Sequence, residues 1–225
     1  METIIISLGG SLIVPEELDI DFLKEFKTLI LSHVAEGKKF VIITGGGKLN
    51  KKYNEAAKRI GSPSHEDLDW IGIASLKLNA ELLRVIFGEY AHSEVISNLS
   101  NSFPLDKPVI IGSAYKPGSS SDFDAVLAAK TVGAKKIINL SNIDYVYDSD
   151  PKANPNAKRI EQISWKDYRA LIPAEWTPRL NSPLDPIASK LAEEMGVAVV
   201  IMNGKPTNNL ARCLDGEKFM GTVIS

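Results

Sequence analysis

Cysteine is almost absent. Cys213 is the only one in 225 residues, so no intrachain disulfide forms and a reducing compartment is expected. Histidine is scarce too: His33, His65 and His92 show no metal-ligand spacing, and no Ser/His/Asp or Cys/His constellation accompanies them. Neither sign of charge dominates, with 26 Lys plus Arg against 28 Asp plus Glu and a net charge of -2. That balance excludes global attraction to nucleic acid or anionic membrane, and leaves room only for a local basic cleft. No apolar run reaches the roughly 18 residues of a membrane span. The chain opens directly into the strand-like "TIIISLGG", without a basic flank or a small-residue cleavage site. The expected location is the cytoplasm. Aromatics make up 7%, and Trp70, Trp165 and Trp176 read as core or interface residues rather than base-stacking platforms. Repeats, linkers and low-complexity tracts are missing as well.

What is present suits a sizeable core: 44% hydrophobic and 24% charged residues. Short β-branched runs alternate with amphipathic stretches, which predicts an α/β fold with a mostly parallel central sheet and helices on both faces, a three-layer sandwich. Strands are expected at Thr3–Leu8, Phe40–Thr44, Glu94–Ser97, Val109–Gly112, Lys136–Leu140 and Val197–Met202. Asp19 or Asp21 caps a helix ended by Gly37. A second helix runs from near Lys48 to about Ile60, and Ser64 caps a third reaching about Phe87. Helix Phe123–Val132 follows. Asp185-Pro186 reads as the N-cap and first residue of a helix stopping before Gly196. A composition shift at 142–159 suggests two lobes of a single domain sharing one sheet, about 1–133 and about 134–225.

Three loops leave strand ends rich in glycine and serine: Gly9-Gly10-Ser11, Gly45-Gly46-Gly47 and "SAYKPGSSSD" at 113–122. Glycine lets backbone N–H groups turn towards an anion at a helix N-terminus. The second loop fits neither common fingerprint. A P-loop would need glycine at Ile42, and a dinucleotide turn would need it at Asn50. Alone, each loop is as well explained as a tight turn. Together, at the carboxyl edge of a parallel sheet, they predict a site for several phosphates. Phosphoryl transfer needs positive charge around the migrating group more than a base, and Lys48, Lys51, Lys116 and Lys190 are the donors at hand. Lys48 is fixed by the triple glycine, and Lys190 sits near a helix start, where the dipole disfavours a cation. Asp122 opens a helix and reads either as an N-cap or as the carboxylate that orients a lysine or a magnesium-bound water. Asp124 faces elsewhere on that helix and is the weaker candidate.

The blocks "LGGSLIVPEELDIDFL", "GGGKLNKKY", "DWIGIASLKLNAELL", "KPGSSSDFDAV", "LSNIDYVYDSDP" and "SPLDPIASKLAEEMG" occur in this order. Together they resemble the amino-acid kinase superfamily, and within it the UMP kinases best known from archaea. The resemblance covers nearly the whole chain and implies direct in-line transfer of the ATP γ-phosphoryl group to UMP, with Mg2+ accompanying ATP and no dedicated protein metal site. It implies that Gly10, Ser11, Gly46 and Lys51 lie at the ATP phosphates and that Ser141, Tyr147 and Asp150 hold adenosine. It assigns Gly45, Asp69, Tyr115, Lys116, Pro117, Gly118, Ser119, Ser120 and Ser121 to UMP, and Asp122, Lys190 and Lys48 to catalysis. A homo-oligomer, as large as a hexamer, is also implied.

Some positions depart from the family pattern. Ser7 stands where many superfamily members have lysine, Ser141 replaces a threonine, and Tyr145 replaces a glycine. Related kinases acting on isopentenyl phosphate or on amino-acid carboxylates are the nearest rivals, although Lys48-Leu49-Asn50 stands where the isopentenyl phosphate kinases place a histidine. A non-catalytic ATP-binding storage or regulatory protein is the rival of another class; Asp122, Lys190 and the UMP loop argue against it.

Overall fold

The computed structural model describes residues 2–118, 120–175 and 182–225. In chain order the elements are β1 Thr3–Leu8, α1 Gly10–Ile13, α2 Ile20–Ala35, β2 Lys39–Thr44, α3 Gly47–Ile60, α4 His65–Phe87, β3 Val109–Gly112, α5 Ser121–Val132, β4 Lys136–Ser141, β5 Val146–Tyr147, β6 Arg159–Ile160, β7 Gln162–Ile163, α6 Trp165–Leu171, α7 Pro186–Met195, β8 Ala198–Asn203, α8 Thr207–Leu214 and β9 Thr222–Ile224. A 3-10 turn, Gly88–Tyr90, follows α4.

Seven strands form one sheet in the order β3-β2-β1-β4-β8-β9-β7, antiparallel only between β8 and β9. Alternation along each strand explains the three layers. Ile4, Ile6 and Leu8 of β1, with Phe40 and Ile42 of β2, pack against Phe22, Phe26 and Ile30 of α2 and Leu83 and Phe87 of α4. Ile5, Val41 and Ile43 point the other way, onto Ala125, Val126, Ala128 and Ala129 of α5 and Ala188 and Ala192 of α7. Each of these strands is covered on both faces, so its sequence reads as a nearly unbroken apolar run. The β1–β4 pairing carries the sheet without a break across 133–134.

Local signals place several boundaries. Asp19 caps α2 by accepting from the Phe22 N–H. Ser64 and Asp67 form a reciprocal capping box at α4. Asp185 caps α7, with Pro186 as its first residue. Other expectations are corrected. The strand expected at Glu94–Ser97 is reduced to isolated bridges, Ala91 to Val109 and Ile96 to Gly112, because this edge segment touches β3 at separated points without running in register. The N-cap of α5 is Ser120, which accepts from the Phe123 N–H, so Asp122 lies inside the first turn and its side chain is free for other work. The short α1, α6, α8, β5 to β7 and β9 were not expected. Most are too short for periodicity to register.

Candidate active site

The glycine loops touch each other. A Cβ on Gly10 would lie 2.1 Å from the Gly47 N and 2.5 Å from the Gly45 O, and one on Gly45 would lie 2.6 Å from the Gly10 N. Gly47 has a φ of +62°, and a Cβ there would meet the Gly10 carbonyl oxygen at 2.4 Å. The glycines are therefore required by backbone-to-backbone packing at the ends of β1 and β2, whatever ligand the loops hold. Gly9 anchors this unit to the next strand by donating to the Leu140 carbonyl at 2.8 Å. Asn79, buried in α4, donates to the Gly45 carbonyl at 2.8 Å, and Thr44 Oγ1 donates to the Leu76 carbonyl. The N-termini of α1 and α3 open beside this contact, a layout suited to anions. Ser11 is the second residue of α1, and Gly46 is the N-cap of α3.

Asp122 sits where β1, β4, α5 and α7 meet. Its Oδ1 accepts from Ser7 Oγ at 3.1 Å and from Asn139 Nδ2 at 3.0 Å, and the backbone N–H of Asp185 also reaches its carboxylate. It lies deep among protein atoms, although the residue as a whole is half-buried. Loss of solvation, with the Asp185 charge second, pushes its carboxyl up to about 7 against the pull of those three hydrogen bonds. Asp185 has two tasks: Oδ1 caps α7 through the Ala188 N–H at 2.8 Å, while Oδ2 accepts from Ser120 Oγ. Tyr168 of α6 fixes the approach to it, donating to the Leu184 carbonyl and accepting from the Leu184 N–H.

The loop after β3 closes on α4. The Gly118 N–H donates to Asp69 Oδ2 at 3.1 Å, with Gly118 at a φ of +84°. Two residues expected to serve one acceptor are thus brought together, although Asp69 is half-buried rather than enclosed. Lys116 Nζ lies 5.6 Å from the centre of the Tyr115 ring, Pro117 precedes the turn, and Ser121 begins α5. Ser119 lies outside the described residues.

The lysines are arranged otherwise than expected. Lys48 forms an exposed ion pair with Glu16 of the loop after α1, and Lys51 is exposed one turn along α3. Lys190 is not among the groups acting on Asp122, whose charged neighbour is Asp185. It is exposed and lines a cleft of about 310 Å3 with Arg169, Ile172, Pro173, Ala174, Pro186 and Ile187. The cause is helical phase: Lys190 shares the face of Pro186 and Ile187, whereas Ser189 takes the buried one. Among the described residues no cation pairs with Asp122 or Asp185.

On the other side of the sheet's switch point, Ser141 Oγ accepts from the Ile143 N–H at the end of β4. Tyr147 is half-buried on the β5–β6 ribbon, and Asp150 is exposed, capping the turn by accepting from the Lys152 N–H. Tyr145 is buried beneath the Arg159 guanidinium, 5.2 Å from its ring centre. Outside the cleft, His33, Glu36 and Asp215 cluster within the span of a metal site, but the Lys38 ammonium already pairs with both carboxylates.

Sequence reasoning missed Ser7, Asn139, Asp185 and Asn79 as site residues. Ser7 and Asn139 did carry a signal, because each interrupts an apolar run near the carboxyl end of its strand. Asp124 was underrated: it is 2% exposed, and its Oδ2 has no hydrogen-bond partner.

The profile of the Amino acid kinase family matches residues 2–203. The chain is 33% identical over 226 residues to a uridylate kinase of Thermococcus onnurineus (strain NA1), covering 98% of both chains. It is 30% identical to one of Methanocorpusculum labreanum, covering 100% of this chain and 96% of that one. Among solved structures, a uridylate kinase from Archaeoglobus fulgidus superposes with a TM-score of 0.83 at 31% identity, covering all of both chains. A UMP kinase from Bacillus anthracis shares the fold at a TM-score of 0.80 and 20% identity, covering 100% of this chain and 96% of that one.

Proposed function

The chain belongs to the amino acid kinase family, and on that premise we propose that it is a uridylate kinase, transferring the γ-phosphoryl group of ATP to UMP to give ADP and UDP. The observation that supports the chemistry is the contact between the two glycine loops at the ends of β1 and β2, with Asp122 bonded to Ser7 of the same β1, two residues before Gly9. The acceptor follows from relatives called uridylate kinase that match end to end.

Transfer is in line between two bound nucleotides, and catalysis is positioning and charge stabilisation. ATP phosphates lie on Gly10, Ser11 and Gly46, with Lys51 near them and adenosine towards Ser141, Tyr147 and Asp150, in the lobe that begins near residue 134. UMP lies on Gly45, Asp69 and the loop from Tyr115 to Ser121, in the lobe that ends near residue 133. Asp122, oriented by Ser7 and Asn139, organises the point of transfer. Lys48 exchanges Glu16 for phosphate; an exposed pair of this kind is worth only about 0–1 kcal/mol, so the exchange is inexpensive. Lys190, exposed on α7, neutralises charge on the migrating phosphoryl group.

The uncompensated carboxylates of Asp122 and Asp185 fit a divalent cation, the charge that the described residues leave unprovided. Mg2+ entering with ATP would be held through Asp122 and would neutralise charge on the phosphates. Incubation with Mg-ATP and UMP, read as UDP formed, tests the proposal; ATP binding without UDP defeats it.

We place the protein in the cytoplasm as a homo-oligomer, with a hexamer as the size the resemblance implies. Among the described residues, no helix is long and apolar enough to cross a membrane. Tyr53 and Ile60 on α3, with Trp70, Leu78 and Val85 on α4, leave exposed apolar side chains two turns apart on adjacent helices, a surface suited to a second copy.

A further inference from the structure

Only one residue of α3 is fully buried, and it is polar. Asn54 is 4% exposed. Its Nδ2 donates to Asn50 Oδ1 at 2.9 Å, one turn back towards the glycine loop, while its own Oδ1 has no partner. An apolar side chain would fill the same place without leaving a buried acceptor open. What Asn54 adds is the orientation of Asn50. With Oδ1 engaged, the Asn50 amide has Nδ2 as its open end, and among the described residues that Nδ2 donates to no protein atom.

Asn50 stands between the glycine loop and α4. A Cβ on Gly46 would lie 3.0 Å from Asn50 Cβ and 3.5 Å from its Nδ2. One on Gly72 of α4 would lie 3.4 Å from Nδ2 and 3.7 Å from Oδ1, so the amide rests against a residue that has no side chain. The two helices run in opposite directions here, because Gly46 meets Leu76 and, four residues on, Asn50 meets Gly72. Asp69 is one turn before Gly72 on the same face of α4, and there the Gly118 N–H docks. A nucleotide held at Gly45 and at the Asp69–Gly118 contact has Asn50 between those two points. Asn50 is half-buried and is the fourth residue of α3, close to a helix N-terminus that favours an anion.

We propose that Asn50 is a further residue of the acceptor site: its Nδ2 donates to the phosphate of the acceptor nucleotide, and Asn54 is the positioning residue that fixes its amide. The proposal rests on the reading of Gly45, Asp69 and the loop from Tyr115 to Ser121 as the UMP site.

The test compares wild type, Asn50→Ala, Asn50→Asp, Asn54→Ala and the double variant Asn50→Ala/Asn54→Ala, measuring kcat, both KM values and thermal unfolding. In Asn50→Ala the KM for UMP should rise roughly five- to tenfold, as for one lost hydrogen bond to a charged group, with the KM for ATP level. Asn50→Asp sets a carboxylate against a phosphate, so its KM for UMP should rise roughly tenfold further at low ionic strength, and salt should shrink that excess. A side chain that only packs, or that meets a ribose hydroxyl, tolerates aspartate as well as alanine. A KM for UMP in Asn50→Asp no higher than in Asn50→Ala therefore overturns the proposal, as do equal rises in the KM for UMP and for ATP. Asn54→Ala should raise the KM for UMP by less than Asn50→Ala, and the double variant should be no worse than Asn50→Ala alone. Effects that multiply in full remove Asn54 as the positioning residue. If Asn54→Ala does not fold, the two Asn50 variants decide by themselves. Wild type that fails to phosphorylate UMP defeats the uridylate kinase reading and the Asn50 assignment with it. Turnover of UMP with its KM unchanged in Asn50→Ala defeats only the assignment.

Discussion

Ser7 Oγ donates a hydrogen bond of 3.1 Å to Asp122 Oδ1 across 115 residues of sequence. This bond ties the end of the first strand to the first turn of α5. It stands at the position where many superfamily members carry lysine. A hydroxyl orients the carboxylate but brings no charge, and among the described residues no cation pairs with Asp122.

Ser7→Ala removes one of the three hydrogen bonds that favour ionised Asp122, and so raises its pKa further. The acid limb of the kcat profile should move to higher pH, by roughly half a unit or more. A pH–rate series reads this directly: kcat near pH 6 falls more than kcat near pH 8.5. Equal losses at both ends would separate Ser7 from the ionisation of Asp122.

Asp122→Asn keeps size and most hydrogen bonding but removes the charge at the point of transfer. By analogy with the loss of a preorganised electrostatic group, kcat should fall by about 10²–10³ with both nucleotide affinities within a few-fold. Single-turnover kinetics beside equilibrium binding checks it; an unchanged kcat reduces Asp122 to a structural carboxylate.

The same substitution should stabilise the protein at alkaline pH. Between about 4 and about 7 the folded Asp122 and Asp124 keep protons that the unfolded chain has released. Stability therefore falls as pH rises through that window. Asp122→Asn should unfold at higher temperature than wild type at pH about 8, by up to about 4 kcal/mol of stability, and the gap should close near pH 4. A wild type more stable than the variant at pH 8 would contradict the burial argument.

Asp69→Asn weakens the tie to the Gly118 N–H and should act on the acceptor. The KM for UMP should rise roughly five- to tenfold, the equivalent of a hydrogen bond worth about 1 kcal/mol, with ATP affinity unchanged. An effect confined to ATP would remove Asp69 from the acceptor side.

Gly10→Ala forces a methyl group within 2.5 Å of the Gly45 carbonyl oxygen, and backbone on both sides leaves no flexible end to yield. Both glycine loops should part, with stability lowered by about 1–3 kcal/mol and turnover lost at both nucleotide sites. Thermal unfolding and a UDP assay together decide; wild-type behaviour in both would mean the loops do not touch.

The sheet and its helices were legible because their signals are periodic or terminal. β1 ends at Leu8 as expected, and α4 begins after a Ser64–Asp67 capping box visible in the sequence. Glycine suggested phosphate, but not that Gly10 and Gly45 pack on each other, which only the register of β1 beside β2 reveals. The catalytic part given to Lys190 came through the family resemblance; helix phase puts its side chain on the exposed face of α7, towards α6. Asp124 was set aside because it does not share the face of Asp122. That inference about direction held, and what it missed was the burial. Neither Asp185 nor Asn139 could be assigned from composition, because each matters through contacts more than 15 residues away in sequence.

The most direct measurement is UDP formation by the purified protein with Mg-ATP and a panel of acceptors: UMP, CMP, dUMP and isopentenyl phosphate. Phosphorylation of UMP well above the other three is the predicted result. ATP binding with no UDP formed, or isopentenyl phosphate preferred over UMP, would contradict it.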